Sequence, residues 1–383
     1  MTQSRTETGD RTAQKAALLL LAVSLNALEC FIPRIPFVPW LKPGIANAVT
    51  MIWIVRYGMA DTLLYSLLRI WITGFYFGFS LITLSLALSG ALLATAGMAL
   101  TWQILGKRRL AGFVGLGIIG ALLHNTGQLV AVFHLFARNS ALFYQAPLMI
   151  AAALVSGTLV AAVAWHGLRS FDRMTTQPVT VAYQPVAAPA ATAPAVAASL
   201  ALLTAAVTVS MIDRAAMLAA SALAATALAA FVSRSALRPF IDPARRFWLL
   251  FVFVAAIHLF LSYGTRIPQA PFLTFEGVRA TGMQWLRVWT WIQLSTVLVR
   301  AGFSGVFLAA LTRVFPSRLD TIRAGLLALQ QYPAVLDRTR ALARRSLPRI
   351  LRRPGHAVRH GMTALINDIV SHIVDNPSPK DPA

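Results

Sequence analysis

Charge is scarce in this chain, and acidic charge most of all. Of its 383 residues only 12% are Asp, Glu, Lys or Arg, about half the share usual in a soluble domain. Thirteen are acidic against 34 Lys and Arg, for a formal net charge of +21. So few carboxylates leave little material for a metal centre or for acid–base catalysis. The single cysteine, Cys30, excludes an intrachain disulfide and reads as a small apolar filler at a helix end. The phosphate-cradling pattern G-x-x-x-x-G-K-[ST] is absent, so ATP hydrolysis through a P-loop is excluded. D-D-x-x-D, H-E-x-x-H and C-x-x-C are missing too, and no cofactor or enzymatic activity is expected.

What is abundant is apolar sequence, 57% of the chain. Runs such as 110–136, 142–167 and 286–312 supply the roughly 20 residues a helix needs to cross the hydrocarbon core. Residues 1–15 are polar, with Arg5, Arg11 and Lys15. The run at 16–32 has no small-residue cleavage site and reads as a first retained helix. Spans at about 45–56, 61–79, 80–105, 110–136 and 142–167 make six in the first half. The second of these is too short to cross alone. It is expected to be kinked or re-entrant behind Pro43-Gly44, which implies a cavity near 33–50.

Residues 169–196 differ from both flanks. Pro178, Pro185, Pro189 and Pro194 interrupt an uncharged Ala/Val/Thr stretch that reads as a semi-extended linker. The second half offers spans at about 197–212, 215–233, 247–264 and 286–312, and from 314 to 383 an Arg-rich tail. The expected fold is therefore all-α and polytopic: a six-helix bundle (16–168), a linker, about four further membrane helices (197–313) and cytoplasmic helices. The basic residues punctuate the gaps between spans. That placement suits positive-inside topology in an inner membrane with both termini cytoplasmic, not nucleic-acid binding. It sets Arg56, Lys107-Arg108-Arg109, Arg169, Arg173 and the Arg234–Arg246 group inside, and Arg34, Lys42 and Arg138 outside.

Polar residues at membrane depth are costly and point to a cavity or a partner. Glu29 closes the first helix, Arg69 lies midway along the third, and His124, Asn125 and Gln128 share one side of the fifth. With Asn47 they form a candidate ligand pocket; the alternatives are interhelical hydrogen bonds and a Glu29–Arg69 pair. Arg34 and Lys42 flank a Pro-rich loop and either attract an anion or snorkel to headgroups. His258 reads as a packing residue, and Arg300 has no assigned role. Gly112, Gly115, Gly117, Gly120 and Ala121 read as helix contacts, with Gly117 and Ala121 at small-x-x-x-small spacing. In the tail, Leu319, Ile322, Leu326 and Leu329 form one apolar stripe. Pro333 suits the start of a new helix carrying Val335, Leu336, Leu342 and Ala343, and residues 362–374 form a third stripe. Such Arg-rich amphipathic helices lie on lipid or dock a partner.

Residues 29–50, from Glu29-Cys30-Phe31-Ile32-Pro33 to Lys42-Pro43-Gly44-Ile45-Ala46-Asn47-Ala48-Val49-Thr50, resemble the signature of the Gx transporter family, also labelled heptaprenyl diphosphate synthase component I. His124-Asn125-Thr126-Gly127-Gln128 resembles that family's H-N-x-G-Q segment. The loop here is shorter than usual, since Ile45 directly precedes Ala46-Asn47. This resemblance covers about 16–168. It implies the six-helix fold of a substrate-binding S component of energy-coupling-factor importers, with the ligand near the outer face. The second half resembles the T component of the same transporters through Leu273-Thr274-Phe275-Glu276-Gly277-Val278-Arg279, Tyr332-Pro333-Ala334-Val335-Leu336-Asp337 and Ala341-Leu342-Ala343-Arg344-Arg345. The last is similar to an A-R-G coupling motif, with Arg345 where Gly is usual. By that resemblance Arg344, flanked by Arg340 and Arg345, docks ABC-type ATPase subunits. The implied function is a fused importer subunit that binds an anionic or amphipathic small molecule. A non-catalytic accessory subunit of a prenyl diphosphate synthase and a lipid-binding scaffold are the alternatives.

Overall fold

The computed structural model describes residues 2–29, 44–106, 112–174 and 191–352. The protein is an all-α polytopic membrane protein, as expected. Among the described residues six helices are long and apolar enough to cross a membrane, or seven if one bent pair counts as a single span.

The first helix, α1 (Thr2–Glu29), starts well before the expected span and takes in most of the polar N-terminal segment. Leu18 to Val23 are at most 4% exposed. A helix apolar around its whole circumference needs either protein or lipid on every side, and α1 has protein, since its residues lie in the first-half core. The next helical segment, α2 (Asn47–Phe77), doubles back at Gly58, whose φ of 77° and ψ of −177° only glycine adopts at little cost. The reversal follows from cross-contacts: Trp53 stacks on Tyr65 at 4.3 Å, and Arg69 reaches Asn47. Its arms, 47–57 and 59–77, are the expected spans 45–56 and 61–79.

Then come α3 (Leu81–Thr101), α4 (Phe113–Val132) and α5 (Ala146–Met174). Small residues set their spacing. Gly90 of α3 faces His124 and Gln128 of α4, Gly120 faces Met98, and Gly117 meets the backbone of Gly157 on α5. Gly112 and Gly115 face open space instead, so they are not the packing contacts expected of them.

Most of the Pro/Ala-rich stretch expected as a linker, residues 175–190, lies outside the described residues. The second half begins with α6 (Ala193–Met211), α7 (Ala215–Ser233) and α8 (Arg238–Leu261). A short antiparallel hairpin, β1 (Arg266–Ile267) and β2 (Ala270–Thr274), leads into α9 (Phe275–Arg300), where the Thr274 hydroxyl caps the helix by accepting from Gly277 N. The last expected span, 286–312, is not one helix. Gly302, at φ 86°, breaks it, and α10 (Phe303–Val314) leaves α9 at 76°. Hydropathy continues across the break and so conceals it.

The tail helix α11 (Leu319–Arg352) is continuous. No new helix starts at Pro333, because buried Tyr332, Val335 and Leu336 anchor the chain on both sides of the proline. Its apolar stripe, with Ile322 and Leu326, packs into the core of α1 and α2, so the first half of this chain is what covers it. Leu319 departs from the expected stripe and is exposed.

The two halves cross. Residues 80 and 138 sit side by side at one end of the antiparallel α3–α4 pair. Leu81 N donates to Ser295 Oγ at 2.8 Å, whereas Arg138 pairs with Asp213, which also accepts from Arg287. Ser295 and Arg287 are about 12 Å apart along α9. The tips of α3 and α4 therefore lie along the flank of α9, and the two helix groups cross. The simple inside–outside alternation assumed that every span shares one direction. The crossing instead places Gly78–Ser80, read as an outer gap, against Arg238 and Arg246, read as an inner one.

Candidate functional site

The best-formed polar site of the first half lies where α1 ends and α2 begins. Glu29 accepts from Ala46 N at 3.1 Å, and Asn47 N donates to Gly44 O at 2.8 Å. Gly44, at φ 69°, makes the tight turn that starts α2. These bonds hold Asn47 beside the second arm of α2, where Arg69 Nη2 donates to its Oδ1 at a long 3.4 Å. Arg69 turns to Asn47, not to Glu29, and its guanidinium lies 5.9 Å from the Tyr65 ring centroid. The side chain is buried, and among the described residues its Nε has no partner and it forms no ion pair. A buried, incompletely satisfied cation is costly by itself.

Gly44, Asn47, His124, Asn125 and Ser156 line one cleft with Gly117 and Gly120. Its space is about 10 Å³, the lower limit for a single water molecule. His124 borders the cleft while packing on Gly90. Asn125 makes an interhelical hydrogen bond: Nδ2 donates to Met149 O at 3.0 Å and ties α4 to α5. Gln128 lies one turn away, buried against Gly90 with its Oε1 unpartnered, and does not line the cleft. The structure therefore brings Asn47, Arg69, His124 and Asn125 to one region, uses Glu29 to hold its turn, and leaves Gln128 beside it. Arg34 and Lys42 lie outside the described residues. Arg340, Arg344 and Arg345 fall on the C-terminal part of α11, and their side chains are likewise outside what is described.

Sequence reasoning missed two charge clusters. Lys15, read as part of a polar leader, is buried and donates to Asp61, Asp320 and Thr321 at 2.7–3.0 Å. Asp61 also accepts from Arg318 and Thr321, so this cluster fastens α11 to α1 and α2. In the second, Arg287 is buried on α9 and bonds Ile212 O and Asp213, while Arg138 reaches Asp213 and Ser210 O. With 13 carboxylates in the chain, Asp61 and Asp213 at the junctions of apolar runs were the available signal. His258, read as a packing residue, is buried on α8.

No curated protein and no solved structure matches the chain. Residues 18–166, the half that contains the Asn47–Arg69–His124 region, match the family model described as heptaprenyl diphosphate synthase component I.

Proposed function

We propose that the chain is the membrane subunit of an energy-coupling-factor type importer, with a ligand-binding first half and a second half coupled to separate ATPase subunits. The observation that carries this reading is the seat of α11. An Arg-rich helix that follows the second-half spans packs along α1 and α2 of the first half, fastened by Lys15, Asp61, Arg318 and Asp320. A force applied to that helix by a partner reaches the first half directly. The crossing of the two helix groups supports the same reading, since a ligand-binding bundle that tips relative to its scaffold must at some stage lie across it. The ligand region is the one around Arg69, Asn47 and His124, and its buried cation favours an anionic or amphipathic small molecule.

The second reading is a non-catalytic accessory subunit of a prenyl diphosphate synthase, favoured by the description of the matching family. The test is affinity capture of the tagged full-length protein from native membranes, with mass spectrometry of what co-purifies, for wild type and Arg344→Glu. P-loop ATPases captured by the wild type and lost from the variant support the importer. Capture of a D-D-x-x-D synthase subunit, with stimulation of its chain elongation, supports the accessory role and ends the importer reading.

A further inference from the structure

The crossing of the two helix groups leaves a crevice of about 190 Å³ between the α2–α3 turn, the start of α8 and the end of α9. Three arginines line it, Arg238 and Arg246 from α8 and Arg300 from α9, with one carboxylate, Asp242, and four hydroxyl residues, Ser80, Ser233, Ser295 and Thr296. Arg246 packs its guanidinium on Gly78, with Nη2 donating to Gly78 O at 2.5 Å, and lines the crevice from there. Arg238 and Arg300 form no ion pair among the described residues, although Asp242 lines the same space. The formal charge of the lining is thus +2. Phe247 and other apolar side chains form the remaining wall. Beside the opening, Phe240, Ile241 and Trp248 present 47–59% of their surface outward. In a membrane protein such side chains face acyl chains. A cationic recess next to a lipid-facing apolar surface matches an amphiphile with a phosphate head.

We infer that this crevice binds a phosphate group, held by Arg238, Arg246 and Arg300, and that an anionic phospholipid supplies it, with its acyl chains on the Phe240–Trp248 surface. A lipid seated there wedges the α2–α3 turn against α8 and α9 and so favours the crossed arrangement. The site is separate from the Arg69 region and from the coupling arginines of α11, and it stands whether or not the importer reading does.

The experiment uses the full-length protein in detergent, with native mass spectrometry and thermal melting after addition of phosphatidylglycerol, phosphatidylcholine or millimolar inorganic phosphate. Wild type is expected to retain phosphatidylglycerol through the ionisation step and to melt higher with it than with phosphatidylcholine. Arg238→Gln/Arg300→Gln is expected to retain about 25-fold less, from roughly a fivefold loss per arginine. A charge-matched control, Arg313→Gln/Arg323→Gln, which alters exposed arginines away from the crevice, is expected to behave as wild type. If inorganic phosphate alone reproduces the upward shift and the crevice variant loses it, the phosphate site stands and its source is free phosphate. Equal binding of both lipids by wild type overturns the proposal, as does equal loss in both double variants. Should the crevice variant fail to fold, competition on the wild type decides: phosphatidylglycerol that excess phosphatidylcholine displaces one for one overturns the site.

Discussion

Lys15 Nζ lies 3.0 Å from Asp61 Oδ1, with both side chains 3% exposed, and the same ammonium lies 2.7 Å from Asp320 on α11. One cation from the start of the chain thus joins two acids that are far apart in sequence. Removing one member of a buried pair leaves the other charge uncompensated, at a cost of about 3–5 kcal/mol. Asp61→Ala is expected to lower the melting temperature and to expose α11 to protease, because Arg318 and Thr321 lose their acceptor as well. Lys15→Met/Asp61→Leu, which removes the charges and refills the space, is expected to recover most of the loss. Melting curves and time courses of limited proteolysis on the single and double variants check this. A double variant no better than Asp61→Ala would mean that the pair does not act as a unit.

The same cluster gives a pH dependence. Burial opposes ionisation of Asp320, but the hydrogen bond and charge of Lys15 outweigh it and hold the carboxyl below its ordinary value of 3.8. A carboxylate depressed on folding stabilises above its unfolded pKa and loses that contribution as pH falls through the folded one. The difference in melting temperature between wild type and Asp320→Asn should therefore be constant from neutral pH down to about pH 5. It should close below the ordinary carboxylate range. A difference that persists at the lowest pH at which the protein still folds would assign the effect to packing, not to charge.

Much of the architecture was legible because hydropathy reports lipid. The span at 215–233 coincides with α7, and the reversal inside α2 lies between the two spans read at 45–56 and 61–79. What was not legible is how the pieces meet. The stripe of Ile322 and Leu326 signals that one face of α11 is covered without saying by what. Lys15 looks like any polar leader until Asp61 and Asp320 are beside it. The break at Gly302 is invisible to hydropathy, since both flanks are apolar, and alternating inside and outside gaps presuppose the shared span direction that the crossed helices lack. At the candidate site, ionisable and amide residues at membrane depth identified Asn47, Arg69, His124 and Asn125. The same criterion could not tell the cleft-lining His124 from Gln128, which faces a neighbouring glycine.

Close helix packing predicts a contrast between two glycines. A Cβ at Gly157 would lie 2.5 Å from Ile118 Cα and 2.8 Å from the carbonyl carbon of Gly117. Those are backbone atoms, so α4 and α5 must separate to admit it. Gly157→Ala is expected to destabilise by roughly 1–3 kcal/mol. A Cβ at Gly115 meets nothing within 4 Å. Gly115→Ala is therefore expected to be neutral or stabilising by up to about 1 kcal/mol through helix propensity. Melting of the two variants in one detergent tests the contrast, and equal effects would remove the close approach of α4 to α5 as the cause.

Arg69 separates stability from function most sharply. Its guanidinium is buried, its hydrogen bond to Asn47 is a long 3.4 Å, and among the described residues Nε has no partner. A group kept for folding would be better satisfied, because burying a cation costs several kcal/mol unless its hydrogen bonds are complete. Replacing it with an apolar side chain of similar length should relieve that cost. Arg69→Met is expected to leave the melting temperature unchanged or raise it, by an effect of about 0–4 kcal/mol, while ligand-dependent uptake in cells is lost. Asn47→Ala should lower uptake less, since it removes a neutral group and leaves the cation in place. The decisive comparison is melting of purified protein beside uptake by cells expressing the same variant. A strongly destabilised Arg69→Met would make the arginine a structural cation and move the anion-binding role away from this region. A stable variant without uptake would mean that the fold carries the buried charge for a ligand, the trade expected where a site is built at the expense of stability.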